Sequence, residues 1–276
     1  MKILIEDNQY TETMIKEMID EVESAVLELI QKAEETNTLS CLLLVAKGDM
    51  DPSGSLFVVD NIWDTLRWKT QERFYIRYLN KNYANEGFEY QGEAGIDDLS
   101  IEMMIYSHIW ASNDFLKTLY RFGEILKGQS YSWKINVDDG KFGKKDWMDQ
   151  HVIIPFENSS LKIARILREA FCTPIRNAFA HALYDVNADT REITIYPQTG
   201  YQTLSFSDFQ KKFLYSALLI NRLHNGMMAL HDHYGAKNGC LTEPFMLPKG
   251  IKCRLYAKPT KRGNEWFPEF RLIQVS

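Results

Sequence analysis

The sequence predicts a mainly α protein, a helical bundle with peripheral β-hairpins. Apolar residues recur at three- and four-residue intervals through several long stretches. Alternating apolar and polar residues appear only in short segments beside Pro and Gly, where hairpins form. Capping residues such as Thr11 stand where the helical patterns begin.

Taken in order, a first helix is expected from about Thr11 to Glu35. Met14, Met18, Val22, Ala25, Leu29 and Ala33 form one face and acids the other. Leu39–Ala46 and Leu56–Asp60 read as two strands around a tip rich in Pro and Gly. Asp49 and Asp51 in that tip lack the later ligands of a calcium loop and read as solvated turn residues. Residues 61–83 read as a second helix in which Arg67, Lys69, Arg73 and Arg77 mix with Trp68 and Tyr78. An aromatic core with a solvated basic side is the ordinary account of such a mixture, and a grip on single-stranded RNA is the alternative.

A long helix is then expected from Asp97 or Asp98 to Lys127, closed by Gly128. Its stripe of Ile101, Ile105, Phe115, Leu119, Phe122 and Leu126 is interrupted by His108 and Ser112, which must find polar partners. Residues 129–158 read as a polar connector. Lys141, Lys144 and Lys145 are offset there by Asp138, Asp139 and Asp146, without the spacing of a phosphate loop.

The helix from Asn158 or Ser159 to about Asp185 organises the chain. Leu161, Ala164, Leu167, Phe171, Ile175, Ala178 and Ala182 follow one stripe, beside which lie Arg176, Asn177 and His181. Pro174 implies either a kink or a restart with Thr173 as cap, and both place Arg176 near freed backbone N–H groups. Asn177 and His181 are four apart and stack on one face, with Arg176 rotated by about 100°. A permanent cation with five donors beside an imidazole that titrates near neutrality suits holding a phosphate while moving a proton. The ordinary alternative is an Arg paired with an acid and a structural His.

Glu192–Tyr196 and Tyr201–Phe206 alternate as a hairpin. It leads through Ser205 or Ser207 as cap into a helix from Asp208 to about His233. The seven-residue separation of His224 and His231, and the absence of a paired carboxylate or Cys, make a metal site at His224, His231 and His233 a weak reading beside core and helix-end histidines. Ile251–Lys258 and Glu269–Val275 form a final basic hairpin. The expected organisation is an N-terminal part (1–96), a helical core (97–233) and a C-terminal extension (234–276).

At 276 residues the chain has room for one large core, and its net charge of −5 excludes wholesale coating of nucleic acid while permitting a local basic site. Charge is unevenly spread: residues 249–276 hold seven Lys or Arg against two Glu, whereas residues 1–36 hold ten acids against three Lys. Cys41, Cys172, Cys240 and Cys253 form no C-x-x-C pair and read as free thiols. No cofactor is implied. No apolar run is long enough to span a bilayer and no secretory leader is evident, so a cytoplasmic protein without membrane contact is expected.

Around Arg176-Asn177-Ala-Phe-Ala-His181 the sequence resembles the HEPN superfamily, marked by an Arg, a polar residue and a His in close succession. The preceding helix around Tyr106-Ser-His-Ile-Trp110, and the hairpin and helix that follow, extend the likeness over about residues 97–233. The resemblance implies a HEPN-like helical bundle that forms a homodimer, bringing two Arg-Asn-His clusters into one cleft. It implies a metal-independent endoribonuclease of the toxin or phage-defence type, with RNA as substrate and an antitoxin or other protein as partner. His181 would transfer the proton, Arg176 would stabilise the phosphate and Asn177 would position it. Superfamily members that only bind RNA, a nucleotide or a protein define the alternative. Some HEPN nucleases carry an extra acid in the preceding helix, and Asp114 and Glu124 are the residues placed to supply one.

Overall fold

The computed structural model describes residues 12–46, 96–132, 135, 137, 144–197, 200–236, 241–247, 250–262 and 265–276. The expected strand at 56–60, the aromatic and basic helix at 61–83 and the environment of Cys240 lie outside them. Within them the chain is mostly helical, with two small antiparallel sheets of three strands each.

Helix α1 (Glu12–Thr36) buries Val22, Ala25, Leu29 and Ala33 completely, as their spacing requires. Ile15, rather than Met14, begins the buried stripe. The segment expected as a strand is instead helix α2 (Thr38–Val45). A short apolar run is ambiguous by periodicity, and the local chemistry at Asn37 decides it: its side chain accepts the Ser40 N–H at 3.0 Å and caps a helix.

The single helix expected at 97–127 is two, α3 (Ile96–Ile109) and α4 (Asn113–Leu126). Ser112 breaks it. With φ −69° and ψ 112° it leaves helical geometry, and its hydroxyl accepts the Phe115 N–H as the N-cap of α4. Ser112 is therefore a terminus rather than a polar member of a stripe, and His108 is exposed. Gly128, at φ 72°, closes α4 as expected, with Gln129 N–H returning to the Glu124 carbonyl at 3.0 Å.

Much of the expected connector is helical too: α5 (Lys144–Met148), a π-helical turn (Asp149–Ile153) and α6 (Ile154–Asn158) run on from one another. Pro155 has no N–H for the carbonyl four residues back, and the widened turn before it accommodates the ring. The His151 carbonyl so freed lies against α4. A Cβ at Gly123 would stand 3.2 Å from it, so glycine is what permits that approach.

Helix α7 (Lys162–Ala170) does not use Asn158 or Ser159 as cap. Leu161 takes the cap position, and Glu28 of α1 accepts the Lys162 N–H at 3.0 Å. After Phe171 and Cys172 the chain restarts as α8 (Thr173–Ala180) with Pro174 in the first turn, where its missing N–H costs nothing. Cys172, not Thr173, is the cap residue, and it makes no side-chain capping bond.

Strands β1 (Tyr184–Asn187), β2 (Glu192–Ile195) and β3 (Gln202–Ser205) form the first sheet, so the expected hairpin gains a third strand. Ser205 caps α9 (Phe206–Ala236) by accepting the Asp208 N–H at 3.0 Å. Helix α9 is the spine of the molecule, touching α1, α2, α3, α7 and both sheets. Where it crosses α1 a Cβ on Gly226 would fall 2.5 Å from Ile30 Cδ1, so the bare glycine leaves room for that side-chain tip. Strands β4 (Phe245–Leu247), β5 (Ile251–Arg262) and β6 (Glu265–Gln274) make the second sheet, again one strand more than the expected hairpin.

One contiguous core runs from Ile15 to Leu255. At its centre Trp110, Tyr106, Phe209 and Phe213 are fully buried, each large apolar side chain contributing roughly 1.5–3 kcal/mol.

Candidate functional site

The position of α8 is set by a hydroxyl. The break between α7 and α8 frees backbone groups, and the buried Tyr106 of α3 serves both sides of it. Its phenol donates to the Ala170 carbonyl and accepts the Cys172 N–H, each at 2.8 Å. Burial holds this phenol in its protonated form, well above the usual tyrosine value, as a donor requires. Around it Trp110 packs on Phe171 at 4.9 Å between ring centroids, and its indole N–H donates to Ser216 at 3.0 Å. No spacing rule identifies Tyr106 in the sequence; it is a tyrosine among the buried residues of a neighbouring helix.

Helix α8 rests on α3 on one side and on β2 on the other. Ile175 and Ala178 point inward, leaving Arg176 and Asn177 half-buried. The Ser107 hydroxyl approaches the Arg176 carbonyl at 3.5 Å, a polar link from α3 to this helix. Arg176 Nη1 donates to Asn177 Oδ1 at 2.9 Å. Among the described residues no carboxylate pairs with Arg176. Because Oδ1 is the acceptor, the Asn177 amide nitrogen keeps its donors for a ligand.

His181 is exposed and lies at the end of α8, where φ −112° and ψ 9° take it out of the helix. The His181 N–H still donates to the Asn177 carbonyl at 3.0 Å. Beyond it Ala182 turns left-handed at φ 52°, and Leu183 N–H returns to the Ala178 carbonyl at 2.8 Å. This closing loop usually carries glycine. The imidazole is exposed at the helix end, and Leu183, two residues on, is joined by a 2.9 Å backbone bond to Tyr196; these two are 46% and 45% exposed.

Arg176 and Asn177 are thus in direct contact, and His181 follows one turn later on the exposed side. The two acids considered as helpers stand on α4: Glu124 is paired with Lys127 at 2.7 Å, and Asp114 lies in the first turn. Of the histidines on α9, His231 sits edge-on to Phe270 at 5.1 Å. Among the described residues no group of three His, Cys, Asp or Glu side chains is arranged to hold a metal ion. No described helix is long and apolar enough to cross a membrane. Searches of protein-family models, of curated proteins and of solved structures find no match to the chain.

Proposed function

We propose that the chain is a HEPN-like, RNA-directed protein of the toxin or defence type, acting as a metal-independent endoribonuclease through Arg176, Asn177 and His181. The observation that carries this reading is an arginine with no carboxylate partner among the described residues, less than two turns from an exposed histidine that caps the end of the same short helix. A cation left without an anion on a fixed scaffold is ready for a phosphate.

In the proposed reaction His181 removes the proton of a ribose 2′-OH, whose oxygen attacks the adjacent phosphorus. The bond from phosphorus to the 5′-oxygen breaks, leaving a cyclic phosphate. The departing oxygen takes a proton from solvent to become a 5′-hydroxyl, while protonated His181 returns its own to solvent. Arg176 stabilises the charge gathering on the phosphoryl oxygens, and the free donors of the Asn177 amide orient them. The need for a 2′-OH restricts the substrate to RNA. Exposed Leu183, two residues past His181, and its backbone partner Tyr196 support a homodimer in which two such clusters share a cleft.

The decisive comparison is wild type against His181→Ala, each incubated with RNA in EDTA. The expected result is cleavage reduced by roughly 100-fold or more in the variant, the usual weight of a general base. Equal cleavage by the two proteins defeats the proposal. A second reading, RNA binding without cleavage, is favoured by the absence among the described residues of a group orienting the His181 imidazole. Salt-dependent RNA affinity retained by an inactive wild type would select it.

A further inference from the structure

The C-terminal sheet has two unlike faces. Cys253, Leu255 and Ala257 of β5 turn inward and are buried, and with Phe270 and Leu272 of β6 this side lies over α9. Strand alternation puts Lys252, Arg254, Tyr256 and Lys258 together on the opposite side. Cross-strand register adds three exposed apolar side chains to that side. Met246 stands opposite Lys252, Ile273 opposite Arg254 and Leu241 opposite Tyr256, and they are 56%, 43% and 47% exposed.

Among the described residues Lys252, Arg254 and Lys258 have no ion-pair partner, while Arg271 on the same side is occupied by Glu269 at 3.0 Å. The Arg254 Nε is shielded from solvent and makes no hydrogen bond in the structure. In a chain of net charge −5 this is a concentrated basic surface interleaved with apolar groups, and it also carries Glu269, which stands opposite Lys258 and pairs with Arg271.

We propose that this outer sheet face is a platform for single-stranded nucleic acid. Successive outward residues on β5 lie about 6.8 Å apart, so Lys252 and Arg254 can follow neighbouring phosphates of an extended strand. Tyr256, between Arg254 and Lys258 on the central strand, offers a ring on which a base can stack, and Leu241 and Ile273 extend that apolar floor. A duplex hides its base faces and would gain only the phosphate contacts, so single strands are preferred. The choice of RNA over DNA rests on the reading of Arg176 and His181; the platform itself does not.

The test measures fluorescence anisotropy of a short labelled oligouridylate with the full chain across a salt series. Tyr256→Ala is expected to weaken binding by about 10-fold, within the range for loss of one stacked base, and Tyr256→Phe to restore it. The doubly substituted Lys252→Gln, Lys258→Gln protein is expected to lower the slope of log affinity against log salt by about 1.4. Both lysines are exposed, so these changes leave the fold alone. Wild-type affinity and slope in Tyr256→Ala and in the lysine variant would overturn the platform. So would binding to phosphatidylserine vesicles with none to the oligonucleotide, or equal affinity for duplex RNA. The cleavage comparison at His181 is separate: platform variants that bind poorly, beside a wild type that does not cut, would leave the platform standing and remove only the nuclease reading.

Discussion

The two ends of α8 are held in opposite ways. At its start a buried phenol from another helix satisfies a donor and an acceptor across the break, within a set of packed aromatic rings. At its finish the chain is closed by its own backbone, with an alanine in the left-handed region and exposed side chains from Ala180 to Leu183. One end is fixed by a buried side chain from another helix and the other by backbone bonds alone. A group that must receive a ligand belongs at the second kind of end, provided the first kind keeps the helix in place.

Removing the fixed end should have the largest effect. Tyr106→Phe leaves the Ala170 carbonyl and the Cys172 N–H without their shared partner. A loss of about 2–4 kcal/mol is expected in urea denaturation, with disturbance of the Arg176 site. The same hydroxyl predicts a dependence on alkaline pH. Its folded value is raised above the usual 10, chiefly by burial, so its contribution is fully present below about pH 10. It is lost as pH rises further and the unfolded chain ionises first. Tyr106→Phe should flatten that alkaline decline, and an unchanged decline would mean the phenol is not sealed.

At the loose end the expected change is smaller and of opposite sign. Ala182→Gly relieves a backbone at φ 52° and should stabilise the protein by about 0.5–1 kcal/mol, less than the full left-handed penalty because glycine also loosens the unfolded chain. A destabilised variant would show that the alanine methyl group makes a contact worth more than the strain.

The smallest effect belongs to Arg168 on α7, which pairs with Asp149 and, at 2.9 Å, with Glu157. These groups are partly exposed, so Arg168→Gln should cost under about 1 kcal/mol. The Arg168 hydrogen bond lowers the Glu157 carboxyl below its usual value. Its contribution is therefore present at neutral pH and lost as pH falls through the lowered value, and the variant should converge on wild type in acid.

This contrast also marks how far the sequence could be read. The long amphipathic helices α1 and α9 were legible because burial imposes a period on them, and Pro174 announced the restart of α8. Local capping chemistry misled the reading where it competed with an apolar pattern: Asn37 turned an expected strand into α2, and Ser112 cut one helix into two. The residues after Gly128 looked polar, yet Trp147, Val152, Ile153 and Phe156 bury a helical face among them. Arg176, Asn177 and His181 were visible as a cluster. The support supplied by Tyr106 and Ser107 depends on contacts more than sixty residues away in the chain, which no local pattern encodes.

The π-helical turn at Asp149–Ile153 has a consequence for helical phase. A wider turn carries about one residue more than an α turn, so it rotates everything before it by roughly 100° relative to a regular helix. That offset aims Trp147 at Tyr120, where the rings stack at 5.9 Å with 22° between their planes. Tightening the turn by one residue would swing the indole away from α4, and the short segment preceding Pro155 would lose its anchor.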